Sequence, residues 1–249
     1  MEISSCLKKY SDIYYEEMFG SSVTKNNNGF SHASKFLSDF ALNTDEYLQD
    51  CAPKMQKVFK PLGVADFMIC TSPVNMLFQP GYKTTLQISS PLFMEDTYHL
   101  IQKICQACGD RFLYIVEDGA EDTAFQLKIP VTTSWEQLQS GGFISTVLFN
   151  MPYNNYRIFG DSCNWGRWCD YENSWADYEI FGSKLEIPEI KDYIKEMALS
   201  SDDYLYMQNN IGFPHNIHII TDGGLPGQTQ KDNKREIIRK CQELSLYVK

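Results

Sequence analysis

Apolar residues in the first sixty positions recur at helical spacing. Cys6, Leu7, Tyr10, Ile13, Tyr14 and Met18 fall three and four apart, one stripe of a helix that Gly20 ends. A polar, Asn-rich loop from Thr24 to Gly29 follows, then a second stripe through Phe36, Leu37 and Phe40. Another helical stretch begins near Thr44. Pro53 predicts a restart, with Asp50 or Cys51 capping a short helix that carries Met55, Val58 and Phe59 and stops before Pro61.

From Asp66 onward the pattern turns to strands. Phe67 to Cys70 and Thr84 to Ser89 are short β candidates, separated by a segment bearing Pro73, Pro80 and Gly81. Glu95 to Cys108 reads as a helix, with Tyr98, Ile101, Ile104, Cys105 and Cys108 on its stripe and Gly109 as its stop. Phe112 to Val116 and Phe125 to Ile129 are strands. Ser134 with Gln137 makes a capping box for a short helix ending at Gly141-Gly142. An antiparallel meander of four strands is then expected: Phe143 to Asn150, Tyr156 to Phe159, Trp165 to Asp170 and Trp175 to Phe181. Its turns fall at Asn154-Asn155, Asp161 to Asn164 and Glu172 to Ser174. Pro188 opens a helix through Tyr193, Ile194 and Met197, Ile217 to Ile220 is a short strand, and Lys231 to Leu244 is the last helix. The fold class is α+β: an antiparallel β-meander packed on one face against helices, with a helical N-terminal region. No linker composition divides the chain, so residues 1–249 read as one domain, helical over 1–62 and mixed over 63–249.

Composition narrows the function. With 22 Lys and Arg against 32 Asp and Glu the net charge is −10, which argues against nucleic acid as the main partner. A hydrophobic share of 43% excludes a disordered chain. No apolar run approaches the roughly 20 residues a bilayer requires, and the first residues lack a signal-peptide core. The expected location is the cytoplasm, with the eight cysteines as thiols and no membrane partner.

Candidate chemistry is sparse. Cys105 and Cys108 form C-x2-C, and Cys163 with Cys169 completes a zinc donor set by count. Both helical cysteines lie on an apolar stripe, however, where cysteine acts as a small hydrophobe, so buried thiols and no cofactor are expected. His215 and His218 are three apart, on opposite faces of a strand, and make a poor metal pair. His99 lies one residue off its helical stripe, and no local signature marks a catalytic nucleophile. The loop Thr221 to Gly227 offers Asp222, Gly223, Gly224 and Gly227 as an anion cradle between strand and helix. Gln228 and Thr229 stand where a Walker loop needs Lys and Ser or Thr, so a hydrolase or an anion- or phosphate-ligand-binding enzyme using this loop is the alternative reading rather than the first.

The segment from Asp161 to Ile180 stands out. It holds Trp165, Trp168, Trp175, Tyr171 and Tyr178, together with five carboxylates and a single cation, Arg167. By strand alternation Trp168 and Asp170 fall together, apart from Trp165, Arg167 and Cys169. Trp175, Asp177 and Glu179 share a wetter face opposite Ala176, Tyr178 and Ile180. Aromatics mixed with carboxylates suit a basic protein partner, the aromatics as anchors and the acids as steering charge. The partner-binding candidates are Trp168, Asp170, Glu172, Trp175, Asp177 and Glu179.

The stretch Tyr156-Arg-Ile-Phe-Gly-Asp-Ser-Cys-Asn-Trp-Gly-Arg-Trp-Cys-Asp170, running on to Trp175 to Gly182, resembles a hairpin of some bacterial toxin-immunity proteins, FG-[DE]-S-x-x-W-G followed by a strand ending in Gly. It covers about a tenth of the chain. The resemblance implies a non-catalytic cytosolic protein that binds and neutralises a toxin domain, a nuclease among the candidates, and it transfers no catalytic residue.

Overall fold

The computed structural model describes residues 38–61, 77–88, 95–118, 126–138, 155–170 and 178–197, together with 200, 202, 239 and 246–247. A helical segment runs from α1 (Thr44–Glu46) through a π-helical turn (Tyr47–Cys51) into α2 (Ala52–Val58). Asn43 caps it, accepting from the Glu46 amide at 2.9 Å while the Glu46 carboxylate accepts from the Asn43 amide at 3.0 Å. The expected restart at Pro53 therefore does not occur. Proline is accommodated within the first turn of α2, where its missing N–H is tolerated. Cys51 does stand at the N-cap position of α2, as one of the two expected, but makes no side-chain cap bond, and the Asp50 side chain reaches across to the sheet instead.

Further helices among the described residues are α3 (Glu95–Cys108), α4 (Trp135–Leu138) and α5 (Pro188–Met197). Helix α3 has the expected limits, and Gly109 ends it at φ 73°. The Ser134–Gln137 capping box also forms, with bonds of 3.0 and 3.3 Å.

Among the described residues seven strands follow in chain order: β1 (Lys83–Ile88), β2 (Phe112–Asp118), β3 (Gln126–Pro130), β4 (Asn155–Gly160), β5 (Trp165–Asp170), β6 (Tyr178–Ser183) and β7 (Leu246–Tyr247). They form one sheet in the order β3-β2-β4-β5-β6-β1-β7, antiparallel except for β7, which lies parallel to β1. The α+β class expected from the sequence is the one observed. The meander holds over β4-β5-β6. It does not extend backwards through a hairpin at Asn154-Asn155, because β2 and β5 already occupy both edges of β4 and Asn155 itself pairs with Asp118. Phe67 to Cys70, Phe143 to Asn150, Ile217 to Ile220 and the first N-terminal stripe lie outside the described residues.

Helices cover both faces of the sheet rather than one. On the first face α3 and α5 pack Tyr98, Ile101, Ile104, Cys105, Ile190 and Tyr193 onto Leu113, Ile115, Leu127, Ile129, Tyr156, Ile158, Trp165 and Phe181. On the second, α2 and the chain just beyond it bring Val58, Phe59, Phe78 and Tyr82 against Phe159 and the bare backbones of β5 and β6. Gly166 is what permits this approach, since a Cβ there would stand 2.6 Å from Val58 Cγ1. Burying a large apolar side chain stabilises by about 1.5–3 kcal/mol, so the two-sided burial is the main cohesive term.

Candidate functional site

The hairpin β4–turn–β5 carries the segment Phe159-Gly-Asp-Ser-Cys-Asn-Trp-Gly166, and the structure gives its residues roles in the fold. Phe159 stacks on Tyr114 at 5.2 Å and meets Phe59 edge-on at 6.0 Å. Gly160 lies against the Asp110 carboxylate so closely that a Cβ would overlap it. Asp161 accepts from the Arg111 and Phe112 amides at 2.7 and 3.2 Å, tying the turn to the start of β2. The Ser162 amide donates to Asp110 Oδ1, and the Trp165 indole N–H donates to Asp110 Oδ2 at 2.9 Å. Cys163 takes φ 57°, uncommon for a non-glycine residue, and the Tyr82 hydroxyl donates to its carbonyl at 2.7 Å.

Asp110 is thus the buried node of the hairpin. Burial pushes its carboxyl above the usual carboxylate range, against the bonds from Ser162 and Trp165, and the nearby charge of Asp161 adds to the rise. Burial raises the Cys105 thiol well above its ordinary value and the Cys108 thiol to about 12. Among the described residues no group of three or more His, Cys, Asp or Glu is placed to hold a metal.

A second polar node joins the π-helical turn to the sheet. Asp50 accepts from Lys128 and from the Tyr114 hydroxyl, both at 2.7 Å, and from Lys54. Burial works to raise the Asp50 carboxyl, but the bonds from Lys128, Lys54 and Tyr114 outweigh it and hold the group well below its ordinary value. Lys128 also sits 4.4 Å over the Phe112 ring.

Of the proposed partner-binding residues, the structure describes three positions. Trp168 is half-buried on the face toward α2, whereas Trp165 is fully buried on the opposite face. Asp170 is the last residue of β5 and pairs with Tyr178, the first of β6. Glu179 lies within β6, opposite Cys169 on one side and Gln87 on the other. The expected one-sided character of this strand fails at Phe181, buried in the main core while its neighbour Ile180 is buried on the other face. Glu172, Trp175 and Asp177, like Asp222, Gly223, Gly224 and Gly227 of the glycine loop and the pair His215 and His218, lie outside the described residues.

The register also defines an end of the sheet that residue-by-residue inspection of the sequence misses. Ile88, Asp118, Gln126, Asn155, Asp170 and Tyr178 all fall there. Strand β2 ends at Asp118 and β3 begins at Gln126, while β5 ends at Asp170 and β6 begins at Tyr178. Only β4 separates β2 from β5, so Asp118 and Asp170 stand roughly 10 Å apart at the usual strand spacing. Leu42 donates its amide to the Gln126 carbonyl at 2.8 Å, which starts α1 at this same end. Asp45 and Glu46 lie in its first turn, and Leu48 just beyond is 59% exposed, the one large hydrophobic side chain so exposed among the described residues.

Compared with known proteins, the chain matches no family model, no curated protein and no solved structure. The fold therefore defines the class, a helix-covered mixed sheet. Among the described residues no helix is long and apolar enough to cross a membrane.

Proposed function

We propose that the chain is a cytoplasmic protein-binding module, an immunity-type inhibitor that neutralises a basic toxin domain through the acidic end of its sheet. One observation carries the reading. The strand order brings Asp118 of β2 and Asp170 of β5 to one end of the sheet, and the sequence that continues from each, 119–125 with Glu121 and Asp122 and 171–177 with Glu172 and Asp177, contains no Lys or Arg. The start of α1 adds Asp45 and Glu46, and Leu48 supplies an exposed apolar anchor beside them. Carboxylates around an apolar contact suit a basic protein surface, and a net charge of −10 accelerates encounter with it. The immunity-like hairpin then serves as scaffold, its motif residues engaged in holding β4 and β5 to β2, while the acidic segments that follow Asp118 and Asp170 in the sequence meet the partner.

The test uses Glu172→Lys with Asp177→Lys, since Glu179 stands inside a paired strand. Immobilised wild-type protein retains a basic protein from a lysate of its source cells. The purified partner then associates about tenfold or more slowly with the double variant at low ionic strength, with the melting temperature unchanged. Equal association rates for the two forms would overturn the proposal.

A further inference from the structure

We draw no further inference here: the strongest candidate, the Asp50, Lys54, Lys128 and Tyr114 cluster where the π-helical turn meets the sheet, is closed on itself, each of its polar groups being hydrogen-bonded to another member, so that nothing in it points to a ligand.

Discussion

The Trp165 indole donates its N–H to the carboxylate of Asp110 at 2.9 Å, joining the first residue of β5 to the loop that leads from α3 into β2. Both residues are buried, Trp165 completely, so the bond is shielded from water and each partner needs the other. Trp165→Phe removes the donor and part of the buried ring system. The expected cost is about 2–3 kcal/mol, read as a lower urea midpoint at unchanged slope. A cycle with Asp110→Ala, which removes the acceptor, isolates the pair: losses that simply add would show that the bond contributes nothing.

Gly160 offers a steric test of the same node. Any Cβ there overlaps the Asp110 carboxylate, so Gly160→Ala displaces it and breaks the bonds to Ser162 and Trp165. A loss of about 1–3 kcal/mol is expected. Paired with Asp110→Ala, which vacates the space, the added methyl becomes nearly harmless. Equal effects of Gly160→Ala in both backgrounds would contradict the packing described.

The two carboxyl nodes respond to acid in opposite senses. Asp110 is raised above its ordinary 3.8, so the folded chain binds its proton before the unfolded one does. Its ionised form opposes folding at neutral pH, and that penalty is relieved as pH falls through the raised value towards 3.8. Asp50 is depressed, so its contribution is fully present above 3.8 and is lost only as pH falls below that towards the depressed value. Between neutrality and pH 4, Asp110→Asn should therefore lose a stability gain that the wild type shows on mild acidification. Parallel profiles for the two proteins would refute this assignment.

Cys51 and Cys105 are completely buried, and burial pushes the Cys51 thiol up to about 12. Alkylation by iodoacetamide at neutral pH should leave both unlabelled in the native protein and modify them only in denaturant, as peptide mapping would show. Rapid native labelling of either would contradict the packing around it.

Leu48 gives the apolar half of the proposed interface a separate handle. Leu48→Ala leaves stability within about 0.5 kcal/mol because the side chain is already exposed. It should weaken the partner by about 1–2 kcal/mol, mostly through faster dissociation, whereas the charge reversals act on association. An unaltered dissociation rate would place Leu48 outside the contact.

What could be foreseen and what could not divides along one line: local pattern against distant pairing. Helix α3 was legible because its stripe, its acidic first turn and Gly109 all lie within fifteen residues or so of one another. The Ser134–Gln137 box and the helix opened by Pro188 are equally local. Asp50 deceived, because its position before Pro53 mimics a cap while its true partners, Tyr114 and Lys128, stand more than sixty residues away. Alternation separated Trp165 from Trp168 correctly, but the strand expected to keep one wetter face, β6, is buried at both Ile180 and Phe181. The acidic end followed the same logic. The run Glu117, Asp118, Glu121 and Asp122 is plain in the sequence, yet only the order β2-β4-β5 shows that β2 ends, at Asp118, on the same end of the sheet as Asp170.

The place of β1 has a consequence for synthesis on the ribosome. Its hydrogen-bonded neighbours among the described residues are β6 and β7, and β6 begins about ninety residues after β1 ends. While that intervening chain is made, β1 must wait with both edges open, as a template for any passing strand. Its sequence, Lys83-Thr-Thr-Leu-Gln-Ile88, is four-sixths polar and opens on a lysine, so the strand kept waiting longest is poorly suited to pairing with the wrong one.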